Sequence, residues 1–402
     1  MTRWWMGLAV VAGLVGQAAA QPPYQPSPVG AARMPEPIPC AGPTPNLVPG
    51  PLSPSLAPPG PPDCLSLSRD HTSAFQCENF PPEDACFFHF GMQGLLRQKL
   101  GKGAVAILDP QNLDTGDFPP PGSPVGQRFI DITPNMAYGF RGTVGLLWGS
   151  ESFEVTGFYL FNRQSSTDLT QQGQLDVPFA GNPRIPLGFE GDNNLWLQAD
   201  RVRTTMSTTL WNAEANYRWS NPGFVDCDLL FGVRYMEFKD GLRIYTGDDD
   251  VTFLDINGRP DPTRQATYSV LTWNRILAPQ LGFDMTCTPC CWLTLGASAK
   301  GAWGVDFNST QFALTRGDGL EAFNIHRPGP TVFTHLYELN AFVEVHVTER
   351  CRIHGGYTAL WLVDLPLAQD QLNFDLTAPL GKKDTHGSTF FHGPMVELQF
   401  LF

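Results

Sequence analysis

From residue 86 to the C-terminus, apolar and polar side chains alternate with a period of two. In Thr209 to Trp219 the odd positions read Thr, Trp, Ala, Ala, Tyr and Trp, against Leu210, Asn212, Glu214, Asn216 and Arg218. In His335 to Val347 the odd row is His, Tyr, Leu, Ala, Val, Val and Val, against Leu336, Glu338, Asn340, Phe342, Glu344 and His346. Successive side chains of a strand point to opposite faces, so each segment offers one apolar and one mixed face. The same two-row reading fits Tyr138–Trp148, Phe153–Phe161, Leu229–Tyr235, Leu293–Val305 and Ile353–Val363. It is looser in Phe87–Arg97. In Tyr268–Met285 it is interrupted at Pro279, which predicts a bend or bulge. The last run, Val396 to Phe402, alternates nearly to its end and finishes on an aromatic residue. A closing strand of a bacterial outer-membrane barrel reads this way, which makes Val396, Leu398, Phe400 and Phe402 a candidate C-terminal assembly signal.

These segments predict an all-β fold: a transmembrane antiparallel β-barrel of about ten strands. Short turns are expected at Gly149–Ser152, Ser220–Asp226, Thr286–Cys290 and Thr348–Cys351. Long polar loops are expected at residues 98–136, 164–203, 246–266, 308–331 and 365–387. Short and long connections alternate in this reading, as periplasmic turns and external loops do, and both termini come out on the periplasmic side. A secreted sandwich is the alternative fold, but it has no reason to alternate connection lengths.

The N-terminus predicts export. Arg3 precedes a short apolar run from Met6 to Val15, and Ala18-Ala19-Ala20 offers a cleavage site, so residues 1–20 read as a signal peptide. Residues 21–85 read as a disordered, Pro-rich and Cys-bearing periplasmic leader, because sixteen of the 37 prolines fall between 21 and 62 and exclude helix and central strand. The barrel is expected over residues 86–402. Mean hydropathy is −0.15, a value a barrel shares with soluble proteins because only half its strand residues face lipid. The net charge of −13 argues against nucleic-acid binding, which favours a basic surface. Outer-membrane lipid and the outer-membrane assembly machinery are the implied partners, and the leader offers a reach toward the cell wall.

If the apolar rows face lipid, the lumen-facing charges include Arg141, Glu154, Glu214, Arg218, Arg234, Lys300, Glu338 and Glu344, with Arg352 and His354. An Arg or Lys on the lipid face would cost about 2–4 kcal/mol at the midplane, which favours this facing. Such a row selects solutes by charge or neutralises itself and fills the interior. Eight strands already fill with side chains, so about ten favour a filled interior over a wide pore. Cys86, Cys227, Cys287, Cys290, Cys291 and Cys351 fall at strand starts or turns on one rim, where an oxidising periplasm makes them candidates for disulfides. Cys287-Thr288-Pro289-Cys290-Cys291 has metal-like spacing but lacks a second paired half, so no metal site is expected. Asp248, Asp249, Asp250, Asp255 and Asp261 read as a solvated acidic loop, and His326, His335, His386 and His392 fall in or near other loops. They form no catalytic motif, so neither an enzyme nor a cofactor is expected.

Several segments carry a family resemblance: Tyr138-Gly139-Phe140-Arg141-Gly142, Phe153-Glu154-Val155-Thr156-Gly157-Phe158-Tyr159, Ala213-Glu214-Ala215-Asn216-Tyr217-Arg218, Phe231-Gly232-Val233-Arg234-Tyr235 and the closing strand. In these the chain resembles the bacterial outer-membrane group called putative beta-barrel porin family seven. The resemblance runs over residues 86–402 and implies porin-like passive passage of small solutes. The alternative is a non-conducting structural or adhesive barrel that displays long external loops.

Overall fold

In the computed structural model the described residues are 84–98, 104–108, 127–129, 132, 134–177, 186–189, 195, 199–221, 226–247, 258–259, 261–290, 292–372 and 386–402. The expected signal peptide lies outside them, as does the Pro-rich leader except for Asp84 and Ala85, which begin the first strand. Twelve strands occur among the described residues: β1 (Asp84–Arg97), β2 (Ala104–Leu108), β3 (Gln127–Phe129), β4 (Ala137–Trp148), β5 (Glu151–Asp176), β6 (Ala199–Asn221), β7 (Asp226–Gly247), β8 (Gln265–Cys290), β9 (Leu293–Arg316), β10 (Glu321–His346), β11 (Cys351–Leu365) and β12 (Gly387–Leu401). Ten of them close a ring in the order β4, β1, β12, β11, β10, β9, β8, β7, β6, β5 and back to β4, and every pair is antiparallel. The hairpin of β2 and β3 lies outside the ring, against the far end of β5. The fold is therefore all-β, a ten-stranded antiparallel barrel. Its seam joins the first strand to the last, and the Phe402 amide donates to the Cys86 carbonyl at 2.9 Å.

The wall has the two faces that the alternation requires. In β9 the outward row is Leu293, Leu295, Ala297, Ala299, Gly301, Trp303, Val305 and Phe307, after which it turns polar at Ser309 and Gln311. In β6 the outward row is apolar from Trp211 to Trp219 and polar from Thr209 back to Arg201. Together such rows form an apolar belt around the barrel, on which Leu281 is 52% exposed and Leu339 58%. Aromatic pairs mark its margins: Trp211 with Tyr235 at 5.0 Å and Tyr337 with Trp361 at 6.3 Å on one side, Trp148 with Tyr217 at 6.5 Å on the other. Side chains of this kind gather where hydrocarbon meets headgroups.

Several sequence expectations need correction. The loop expected over residues 308–331 is the upper part of a continuous β9–β10 hairpin, closed by a tight turn at 317–320. There Gly319 takes a φ of +90°, a region that favours glycine, and Asp318 accepts from the Leu320 amide at 3.2 Å. Pro328 and Pro330 sit at a bulge between Pro328 and Thr331. That bulge inverts the two faces, so Phe323 and Ile325 point inward above it while Asn324 and His326 point outward. A second bulge, between Leu160 and Arg163, does the same to β5. The polar segment at 164–203 likewise contains strand, in Gln164–Asp176 and Ala199–Arg203. Pro279 causes no bulge: it pairs in register with Val233, and the β8–β9 register is the same on either side of it. Its missing N–H interrupts the ladder to β9 without shifting it. Finally, no disulfide forms among the described residues. Cys86, Cys227, Cys287 and Cys351 are free thiols, and Cys291 lies outside the described residues. Ladder geometry keeps Cys86 from Cys351, since the first lies on β1 and the second on β11. One strand lies between them, and two strand spacings put their backbones about 10 Å apart, beyond the roughly 7 Å a bridge can span.

Candidate functional site

Ten strands about 4.8 Å apart and tilted about 40° make a cylinder roughly 20 Å across, wide enough for opposed large side chains to meet. The inward rows fill it in layers. Toward the rim that carries the C-terminus lies an ionic layer. Arg234 on β7 donates to Glu214 on β6 at 2.9 Å and to Glu338 on β10 at 2.6 Å, and it is 1% exposed. Lys300 on β9 lies 3.3 Å from Glu214. Arg141 on β4 reaches Glu338 at 3.4 Å and Glu397 on β12 at 3.2 Å. Since β4 and β10 are four strands apart around the ring, that contact crosses the lumen. Gly91 makes room for it, because a Cβ there would stand 2.6 Å from the Glu397 side chain.

Closer to the same rim, Arg218 gathers three carboxylates: Glu154 at 3.1 Å, Asp228 at 3.2 Å, and Asp284. Glu344 faces Arg352 at 2.8 Å and His346 at 3.3 Å, with His354 at 4.0 Å. Buried charges of this kind persist only when paired and hydrogen-bonded, and Gln280, Asn216 and Asn340 supply further donors to the carboxylates. The structure thus brings all eight lumen-charge candidates into inward clusters, six of them buried and Arg218 and Glu344 half-buried.

Above the ionic layer lies an apolar one, built from Leu95, Phe158, Leu210, Phe238, Leu336, Phe391 and their neighbours. Phe238 and Phe391 meet edge-to-face with ring centroids 5.8 Å apart. Their strands, β7 and β12, are five apart in a ring of ten, so this contact spans the full diameter. Next comes a single buried ion pair. Arg97 donates to both oxygens of Asp240, at 2.5 and 3.2 Å, and to Thr208 and Thr389 at 3.0 Å each. Its guanidinium lies over the Phe238 ring at 5.4 Å.

The chain leaving β11 folds inward at this level. Leu367 and Ala368 are each 1% exposed, the Ala368 amide donates to Asp240 at 3.0 Å, and Asn274 donates to the Pro366 carbonyl at 3.2 Å. A second apolar layer of Val202, Leu242, Ile244, Tyr268, Phe312 and Leu314 fills the barrel toward the long-loop rim.

Sequence reasoning missed the Arg97–Asp240 pair, and with it Glu397, Asp228 and Asp284. Glu397 was within reach, since it occupies the inward parity of the Val396–Phe402 run. The inward Leu210, Leu336 and Phe342 were the visible trace of an apolar filling. Both amide atoms of Gln93 and of Asn212 are buried without a hydrogen-bond partner, positions suited to internal water.

The other candidates disperse. Val396, Leu398, Phe400 and Phe402 point outward on the closing strand. His326, His335 and His392 lie in strands on the outer wall, and His392 contacts Tyr357. Asp261 caps the short helical turn Pro262–Arg264, while Asp248, Asp249, Asp250 and Asp255 lie outside the described residues. No group of three metal-ligating side chains occurs among the described residues.

Residues 130–388, more than half of the chain, match the family model described as Putative beta barrel porin-7 (BBP7). The chain belongs to this family. As a member of the porin-7 family with a closed barrel and an apolar belt, it is an outer-membrane β-barrel. No curated protein matches the chain. Among solved structures it is similar to the outer membrane protease OmpT from Escherichia coli, at 11% identity and a TM-score of 0.42, covering 81% of this chain and 100% of that one. It is also similar to the Pseudomonas putida toluene transporter TodX, at 7% identity and a TM-score of 0.29, covering 79% and 89%. A Pseudomonas aeruginosa FadL homologue matches at 9% identity and a TM-score of 0.26, covering 79% and 90%. These likenesses are too distant to inform the activity of the porin-7 barrel.

Proposed function

We propose that this porin-7 barrel is non-conducting in its resting form and serves as a structural and display element of the outer membrane. The observation that carries the reading is the Phe238–Phe391 contact across the full diameter of the lumen, with charged layers below it and a buried ion pair and a second apolar layer above. Strands β5 to β10 continue past the belt, so a barrel wall and the long connections stand clear of the bilayer as the displayed part. In this reading the short-turn rim and both termini are periplasmic, residues 1–20 are the export signal, and the leader reaches toward the cell wall. The Val396–Phe402 strand is recognised by the assembly machinery, and the protein performs no catalysis.

A second reading is porin-like passage of small solutes, favoured by the family description and by the mixed charges of the inward rows. In that case the inward-folded segment from Pro366 would have to leave the lumen. Planar-bilayer recording of the refolded, full-length protein separates the two. Silence from protein shown to be folded supports a closed barrel. Reproducible current steps from the wild-type protein would replace it with the porin reading.

A further inference from the structure

Above the belt, the outer wall of three neighbouring strands carries an excess of cations. Toward the long-loop rim the outward positions of β6, β7 and β8 carry Arg201, Arg203, Lys239, Arg243 and Arg275, against Glu237 and, on neighbouring β5, Asp168. On β9 the outward positions at this height are Ser309, Gln311, Ala313 and Thr315, none of them ionisable. Five cations against two anions is a local excess of the opposite sign to the chain's net charge of −13.

The register fixes the height of this excess. Arg275 lies beside Phe307, where the continuous apolar row of β9 ends, and Lys239 lies beside Trp273 one step higher. Glu237 pairs across to Arg275 and holds Lys239 at 2.9 Å, which draws the two cations to the same spot while Lys239 stays 42% exposed. Arg243 stands exposed four residues further up β7, about 13 Å along the strand. Below them the wall is Val233, Leu277 and Leu281, all exposed and apolar. A cationic cluster directly above an apolar strip matches an amphiphile with an anionic head and hydrocarbon tails, because cations at headgroup height attract anionic lipid.

We propose that the β6–β8 wall binds the phosphate headgroup of an anionic lipid in the leaflet next to the long-loop rim. Lys239 and Arg275 hold the phosphate, Arg243 extends the site outward, and the acyl chains lie along Val233, Leu277 and Leu281. This rests on the belt being lipid-facing. It does not depend on whether the lumen conducts.

The test is native mass spectrometry of the full-length protein, refolded in detergent and titrated with bisphosphorylated lipid A, phosphatidylglycerol, phosphatidylcholine or inorganic phosphate. The triple variant Lys239→Gln/Arg243→Gln/Arg275→Gln is compared with wild type and with Arg350→Gln, which removes one cation at the opposite rim. Wild type and Arg350→Gln should retain the anionic lipids well above phosphatidylcholine. The triple variant should bind them roughly a hundredfold more weakly, about fivefold per cation.

Equal retention by the triple variant, or equal retention of phosphatidylcholine, overturns the site. Inorganic phosphate binding wild type as tightly as the lipids overturns the lipid assignment. Folded wild-type protein that retains no lipid at all overturns the membrane-facing belt together with the site, whereas a current in the bilayer assay would overturn the closed barrel and leave the site standing. Folding is read from a heat-modifiable gel band. If the triple variant lacks that band, Arg275→Gln alone carries the same comparison with a roughly fivefold effect.

Discussion

Replacing Arg97 by Met is the sharpest probe of how this barrel is held shut. Arg97 and Asp240 meet from opposite walls between two apolar layers, each with a side chain 3% exposed. Methionine keeps most of the volume and the aliphatic stem over Phe238 but removes the cation. Asp240 then keeps the Ala368 amide, one neutral donor for a buried negative charge. Breaking a buried pair on one side costs about 3–5 kcal/mol, because the remaining charge is neither solvated nor paired. At 1.4 kcal/mol per decade that lowers the folding equilibrium constant by roughly a hundred- to several-thousandfold. The double variant Arg97→Met/Asp240→Leu leaves no stranded charge and puts hydrocarbon between hydrocarbon layers. It should return to within about 1 kcal/mol of wild type, or exceed it. Asp240→Leu alone strands the Arg97 cation in turn and should cost a similar amount, so the coupling term of the double-mutant cycle is about 5 kcal/mol or more, above the usual range for residues in direct contact. Guanidinium unfolding of the protein refolded into lipid vesicles, followed by tryptophan fluorescence and the heat-modifiable band, gives all four corners of the cycle. A single variant within 1 kcal/mol of wild type, or a double variant no more stable than the single, would refute the claim that this pair is buried, isolated and electrostatically linked.

Three further outcomes follow from the same layout. Leu339→Arg places a cation on the exposed face of β10 and should lower barrel stability by about 2–4 kcal/mol, whereas Leu339→Phe should lower it by much less; equal losses in vesicle unfolding would contradict the lipid-facing assignment. Deleting Phe402 removes the backbone exchange with Cys86 at the seam, so membrane-inserted protein should fall while exported protein is unchanged, and a normal ratio in fractionated cells would count against the terminal signal. Asp168, outside the belt, accepts from Arg203 at 2.6 Å and from Arg201 at 3.3 Å, and the Arg203 hydrogen bond holds its carboxyl below the usual range. A depressed folded-state value means that its stabilisation is present above about pH 4 and is lost as pH falls through the folded value. Because the site is exposed, Asp168→Asn should cost under about 1 kcal/mol at pH 7 and less as the pH is lowered through the folded value; a loss that does not shrink with falling pH would show that the effect is not the ion pair.

The count, pairing and facing of the ten ring strands were legible because a barrel wall obliges each strand to separate lipid from interior with every residue. That rule acts locally, so Thr209–Trp219 and His335–Val347 could be read one strand at a time. Strand length was less legible, because above the belt the outward row faces water and the inward row faces an apolar core. Segments such as Gln164–Thr170 and Ser309–Thr315 therefore show polar outward residues and read as loop. Bulges compounded this: at Leu160–Arg163 and Pro328–Thr331 the parity reverses, and a period-two reading carried across either one assigns the wrong face beyond it.

The filling of the lumen was legible in kind but not in pairing. Which inward charge meets which depends on how the ring closes, and closure is not a property of any segment. Arg141 and Glu338 are 197 positions apart, Arg97 and Asp240 143, yet each pair is brought together by a ring only ten strands around. A ring of sixteen would have left the same inward rows separated by water and would have made them the lining of a channel. The decisive quantity is therefore the strand number, because it sets whether opposite walls can touch. At ten they do touch, at Phe238 and Phe391, and the same alternating code that elsewhere writes a pore here writes a packed interior.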